Sequence, residues 1–460
     1  MMEIEGDGLR YVLWLARLAH TPPFAFKEAN MKKVRFLLFV LLPLCALCLG
    51  LGSCNRSYVD ADGLRYTPTE DGEGYVVSAT DDVTAEDLVI PATYKEKPVV
   101  KISGFGFEEQ ESITSVTIPA SVQAIGPHAF YGCGRLETVR FAENSALVSI
   151  GSYAFSECHA LSAFTVPASL ETWERGAFQH CSSLKSVRFE EQSKLEVLGD
   201  YAFFECKGLE SIAFATDGAL RYIDANAFIG CESLTSVTIP ASVEEIGRRA
   251  FYKCTALQEL RLEGATGLTA IWDEAFARCE SLSSLTLPNR GITLHREAFS
   301  YCKSLTAVTV PHEESFLHAG VFEGCESLAS LTIPYVGRGK WSSGDETVLG
   351  YLFHMRQWDD PNENLNKYVP DSLKMVVITH STRVFDGAFW QCDGITDLYL
   401  PDSVTELGSF AFSSCESLIA IHFGGTMEQW RWIEKRLGWS GGCPSELTVY
   451  CIDGERLARD

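Results

Sequence analysis

Residues 234–254 read LTSVTIPASVEEIGRRAFYKC, and the order of apolar side chains along this stretch decides the fold. Val237 and Ile239 alternate with Ser236 and Thr238, which predicts a short β-strand with one buried face. Pro240 has no N–H with which to continue a ladder, so it ends that strand. Ala250, Phe251 and Cys254 then follow Ile246 in a segment too short for a full helix, which fits a single helical or 3-10 turn.

The same unit recurs along most of the chain. With the phenylalanine as marker, it falls at Phe130, Phe155, Phe178, Phe203, Phe228, Phe251, Phe276, Phe299, Phe322, Phe389 and Phe412, and in degenerate form at Phe107 and Phe353. Adjacent markers lie 23 or 25 residues apart, except around Phe353, where steps of 31 and 36 place insertions within 335–372. An apolar residue stands five positions before each marker, as Ile246 does before Phe251. One such unit cannot bury its apolar columns, whereas a stack of them can. The chain is therefore expected to form an α/β repeat solenoid, right-handed, with parallel strands on one face and short helical or 3-10 turns on the other. At strand spacing, thirteen rungs would run roughly 60 Å.

The pattern Leu-x-x-Val-x-Ile-Pro-x-Ser-Val-x-x-Ile-Gly-x-x-Ala-Phe-x-x-Cys resembles the BspA-like bacterial class of leucine-rich repeat, and the resemblance covers 102–424. Residues 63–101, with Gly72 and Gly74 at a hairpin turn, look like the N-terminal β cap of that family. Residues 425–460 look like a closing helix, from Met427, followed by a strand from Leu447 to Cys451. The resemblance implies an exported, non-enzymatic protein that adheres to host extracellular proteins or to other bacteria.

The N-terminal region carries an address. Lys32, Lys33 and Arg35 precede an apolar run, Phe36 to Leu51, that is too short for a comfortable membrane span. It ends in Leu51-Gly52-Ser53-Cys54, which resembles a lipoprotein signal at 31–53 with Cys54 as the lipidated residue, followed by a linker at 54–62. Residues 1–30 do not resemble a targeting element, and translation is expected to start at Met31. The expected location is the cell envelope, at the outer membrane or cell surface.

A net charge of −23 repels phosphate and argues against nucleic acid as a partner. Eleven of the sixteen cysteines stand three residues after a marker, from Cys133 to Cys415, a spacing that suits a buried structural column and no catalytic one. Cys443 and Cys451 lie outside that column and, in an exported chain, are expected to pair as a disulfide. Gly438-Trp439-Ser440-Gly441-Gly442 matches the G-x-S-x-G nucleophile elbow, but lacks the strand before it, the helix after it and a downstream histidine. Gly337-Arg338-Gly339-Lys340 lacks the hydroxyl residue and glycine spacing of a phosphate-binding loop. No metal, cofactor or catalytic residue is expected.

Function is left to the surface. The residue between the two buried strand positions faces solvent and forms a threonine-rich column in which Arg140, Arg188, Arg261 and Tyr399 stand out. The insertions carry Trp341, Tyr351, Trp358 and Tyr368, and rings on protruding loops are common contact anchors. The expected partner is a protein or glycan ligand, such as a host extracellular matrix protein or another bacterium, with the membrane engaged through the N-terminal lipid. The alternative is an envelope or periplasmic scaffold without a host ligand.

Overall fold

A computed structural model describes residues 57–262, 264–354, 364–454 and 456–458. The signal segment, Cys54 and Trp358 lie outside the described residues. Between an antiparallel hairpin system at its start and an antiparallel strand at its end, the described chain is a parallel β-solenoid whose rungs repeat the unit read from 234–254.

Each rung contributes two strands. The longer ones, such as Ala163–Val166 and Ser186–Phe189, pair in parallel and in register, so that Phe164 lies opposite Val187 and both point inward. The shorter ones hold two residues, such as Glu245–Ile246 and Ala270–Ile271, and bury the apolar residue five before the marker. Period-two alternation in the sequence becomes the inside and outside of these ladders.

The third side of the rung departs from the expected helical or 3-10 turn. Arg249, Phe251 and Lys253 send their N–H groups to the carbonyls of Asp273, Ala275 and Ala277 in the next rung, at 3.0, 2.7 and 3.0 Å. Ala250, Tyr252 and Cys254, which alternate with them, close turns within their own rung. A helical turn would satisfy its N–H groups locally and leave this third side of the rungs unjoined. The chain turns alternate groups outward by adopting left-handed backbone two residues before and two after the marker, as at Arg249 and Lys253, Tyr153 and Glu157, or Tyr201 and Glu205. Non-glycine residues bear a cost there of about 1–2 kcal/mol each. Glycine takes such a site where a neighbour's side chain needs the space. A Cβ on Gly176 would lie 2.6 Å from the Tyr153 ring, and one on Gly324 would lie 2.5 Å from the Tyr301 ring.

The marker phenylalanines form the spine. Rings from Phe107 to Phe322 follow one another through the core at centroid distances of 4.8 to 6.4 Å, for example 4.8 Å for Phe228–Phe251 and 4.9 Å for Phe251–Phe276. Every column thiol except Cys392 donates to the carbonyl of the previous marker, as Cys254 Sγ does to Phe228 O at 3.3 Å and Cys158 Sγ to Phe130 O at 3.2 Å. A small apolar residue with a weak donor fits this place.

The ends are closed differently. Tyr58–Val59, Leu64–Pro68 and Tyr75–Ala79 form an antiparallel hairpin system, and the last of these starts the short-strand ladder through Lys97–Ile102. Its first strand lies within the stretch read as a linker. At the other end Thr426 and Gln429 make a capping box for the helix Met427–Trp432, the only α-helix among the described residues. The following segment holds a rung that the marker count missed. Phe410, Phe412 and Ser414 donate to the carbonyls of Leu437, Trp439 and Gly441, which sets Ser440 at the marker position with left-handed Gly438 and Gly442 on either side. Cys443 accordingly stands in the thiol column and donates to Phe412 O at 3.0 Å. The premise that Cys443 lies outside the column, on which its pairing with Cys451 rested, does not hold. The strand Arg456–Ala458 runs antiparallel to Thr448–Tyr450 and covers the last edge of the long ladder.

The long strand Ser330–Ile333 pairs directly with Met375–Ile378, so the insertions loop out without breaking that ladder. On the turn side the ladder is broken, and buried Asn366 repairs it. Its side-chain oxygen accepts from Gly350 N at 2.8 Å, while its amide nitrogen donates to the carbonyls of Gly387 and Trp390 at 3.1 and 3.0 Å. Asn366→Leu removes all three partners at once and is expected to lower stability by about 2–4 kcal/mol, read as a shift of the urea midpoint. Burial pushes the Cys133 thiol up to about 12 and moves the other resolved column thiols in the same direction. Labelling at pH 8 with a small alkylating reagent should therefore leave Cys133 to Cys415 unmodified in the folded protein and modify them all in denaturant; rapid native labelling of this column would contradict the packing.

Candidate functional site

Nothing in the repeat gathers chemistry-bearing side chains. Every described cysteine is buried, Ser440 of the literal nucleophile-elbow match is buried at a marker position, and no group of three or more metal-ligating residues exists among the described residues. What remains is surface: outward columns of side chains and shallow clefts between rungs, the one beside Trp341 among them.

The outward column of the long ladder is partly or wholly exposed from Thr117 to Tyr450, and its arginines differ in what they meet. Arg261 is engaged within its own strand, where Nε and Nη2 donate to both oxygens of Glu259 at 2.7 and 2.6 Å. Arg140 reaches Ser115 Oγ at 3.3 Å, and Arg188 enters no ion pair among the described residues. Arg140 and Arg188, on either side of Thr165, are thus the two cations this column offers. Tyr399 does not stand alone: His422 stacks on it at 4.2 Å, and Tyr450 stacks on His422 at 5.2 Å.

A second stripe, at the left-handed positions, was not legible as a group. Phe105 stacks on His128 at 4.8 Å, and His128 lies 5.2 Å from Tyr153. Arg175 continues the line, donating to Tyr153 Oη at 3.2 Å and covering the Tyr201 ring at 4.4 Å. Its rings share an offset from the marker but not a residue type, and Arg175 reaches them from one place earlier, beside left-handed Gly176, so only register reveals the group. His128, which looks like an isolated turn residue in sequence, is half-buried inside this stack.

The short-strand ladder that begins at Val197–Leu198 ends at Phe316–Leu317, where the first insertion takes over. Leu317 N donates to Arg338 O, and Arg338 is pinned to Glu346 through its backbone at 2.9 Å and an ion pair at 2.7 Å. Gly337 makes that approach possible, since a Cβ there would collide with Glu346 O at 1.9 Å. Ser342 Oγ accepts from Gly339 N and donates to Gly339 O, at 2.9 and 2.7 Å. Trp341 stands on this fixed loop with 79% of its surface exposed, at the edge of a cleft of roughly 470 Å³. The cleft is lined by Phe316, Thr293, Glu313, Glu314 and Lys340 among others, and Lys340 approaches Glu313 at 3.5 Å. Tyr351 and Tyr368 of the insertions instead pack onto the core, Tyr368 stacking on His354 at 3.7 Å.

A family model described as the BspA type leucine-rich repeat region matches 100–220, 221–337 and 370–431. A leucine-rich repeat protein from Bacteroides ovatus is 20% identical, with 85% of this chain and 99% of that one covered and a TM-score of 0.53, a likeness of fold. A leucine rich cell surface protein from Faecalibacterium prausnitzii is 24% identical over 82% of this chain and 97% of its own, with a TM-score of 0.41. No curated protein matches the sequence.

On the outer face of the short ladder Trp272, His295 and His318 stack in sequence, at 4.1 and 5.0 Å. Burial holds both imidazoles below the ordinary histidine value of 6.5, and nearby Arg338 and Arg296 act in the same direction on His318, against Asp273 and Glu245 on His295. A lowered folded value means that the unfolded chain binds protons first, so this contribution is complete above pH 6.5 and is lost as the pH falls through the folded values. The urea midpoint should drop between pH 7 and pH 5, and the His295→Gln, His318→Gln double variant should show a shallower drop.

Proposed function

The chain belongs to the BspA-type leucine-rich repeat family, and we propose that it is an exported, lipid-anchored, non-enzymatic scaffold that recognises protein or glycan ligands at the bacterial cell surface. One observation carries this reading. The interior is nearly the same in every rung, with Phe, Cys, Ala and aliphatic residues at fixed offsets, while the outward column changes from Thr165 to Arg188 to Ala213 to Thr238 to Arg261. A scaffold that only stacks needs the uniform interior; a recognition surface needs the varied exterior as well. Reactive side chains are absorbed into packing, which supports binding over catalysis.

In this reading Cys54 carries the lipid, and the solenoid that follows is displayed outward as an adhesin. Arg140 and Arg188 offer positive charge to acidic groups of a protein partner on a chain that is otherwise acidic. Arg261, neutralised by Glu259, contributes little to that attraction.

Protease added to intact cells should degrade the displayed chain, and Cys54→Ala should move it from the membrane fraction to the soluble one. Protection of the chain in intact cells would replace the adhesin reading with that of an internal envelope scaffold. Binding to immobilised extracellular matrix proteins should weaken about tenfold in the Arg140→Glu, Arg188→Glu double variant and change less than about twofold in Arg261→Glu.

A further inference from the structure

The cleft beside Trp341 joins three features that the repeat alone does not produce. First, the loop that carries Trp341 is held in place by the Arg338–Glu346 pair and by the Ser342–Gly339 hydrogen bonds, so binding would order little of the backbone. Second, the indole stays exposed although Phe316 lines the same cleft; Lys340 Nζ stands 5.7 Å from the indole centroid, and most of the ring surface is open to a ligand. Third, the surrounding groups hydrogen-bond in both senses, with Glu313 and Glu314 as acceptors, Lys340 as a donor and Thr293 as either.

We infer that this cleft is a carbohydrate subsite, which takes a neutral hexose unit of a longer glycan against Trp341 with its hydroxyls bonded to Glu313 and Lys340. The inference rests on the scaffold reading above and gives it a ligand class. A sugar ring presents an apolar C–H face and a rim of hydroxyls, which matches an aromatic platform bordered by donors and acceptors. At roughly 470 Å³ the cleft falls within the ~300–1,000 Å³ usual for small-ligand sites. A protein partner would need about 800 Å² of matching surface on each side, far beyond this opening. Two carboxylates against one ammonium disfavour an acidic sugar. The attraction of Lys340 keeps the Glu313 carboxyl below its ordinary range, so it is a charged acceptor at neutral pH.

The test is calorimetric titration of the full chain in detergent with neutral hexasaccharides of glucose, mannose, xylose and N-acetylglucosamine, with a heparin hexasaccharide as the acidic comparison. At least one neutral probe should bind, with affinity reduced about tenfold or more by Trp341→Ala and about threefold or more by Glu313→Ala. Trp432→Ala, which removes an equally exposed indole on the closing helix, should leave it unchanged, and the melting temperature of Trp341→Ala should equal that of the parent. Failure of every neutral probe, binding of heparin alone, or equal affinity in the Trp341→Ala variant would overturn the inference. A chain that is displayed and binds matrix proteins but no neutral hexasaccharide would retain the scaffold reading and lose this one.

Discussion

The structure depends on one contact repeated along its length: the N–H of every marker phenylalanine but Phe353 donating to the carbonyl one residue before the next marker position, as from Phe228 to Ala250 and from Phe251 to Ala275, both at 2.7 Å. That bond sets the rise between rungs, and the rise is also a stacking distance for aromatic rings. Phenylalanine above phenylalanine is thus favoured by the same spacing that joins the backbone. In every rung of the column but that of Cys392 the thiol reaches back to the marker carbonyl beneath it, so neighbouring rungs are tied in both directions at the centre of the core. The charge pairs outside, such as Arg221 with Glu244 and Lys303 with Glu280, also span adjacent rungs, but exposed pairs of this kind contribute only about 0–1 kcal/mol each.

Positions that point into this core were legible from the chain alone, because burial imposes the same residue at the same offset each time. Phe251, Cys254, Ile246 and Val237 are buried where their spacing puts them. What spacing could not reveal was the backbone between them. Left-handed residues at Arg249 or Tyr201 carry ordinary side chains, so nothing in their identity marks the conformation. The rung around Ser440 was hidden for a related reason: Trp439 and Ser440 replace Ala and Phe, and the register survives only in Gly438, Gly442 and Cys443. Had the offset of Cys443 been measured from Ser440, the column would have claimed it.

The candidate site divides along the same line. Trp341 was identifiable as an aromatic residue in an insertion, whereas its neighbours Thr293, Glu313 and Phe316 belong to earlier rungs and meet it only through stacking. Arg261 looked equivalent to Arg140 and Arg188 because its partner Glu259 lies two residues away, facing the same side of the strand, and the charge balance of that face depends on this pairing. Insertions are tolerated here because a solenoid can interrupt one ladder while another continues, provided that a group such as Asn366 supplies the missing bonds.

The glycines at left-handed sites bear on how such a chain changes over generations. Tyr153 lies across Gly176 and Tyr301 across Gly324, so a large side chain in one rung and the absence of one in the next form a matched pair. Repeats that share a consensus are consequently not interchangeable parts. Inserting a rung between those of Tyr153 and Gly176, or deleting that of Gly176, would set the tyrosine ring against a new neighbour that carries a Cβ where the ring now lies, although every consensus residue remained correct. Recombination within this gene would have to move such pairs together, and the unit of exchange is then two adjacent rungs, not one.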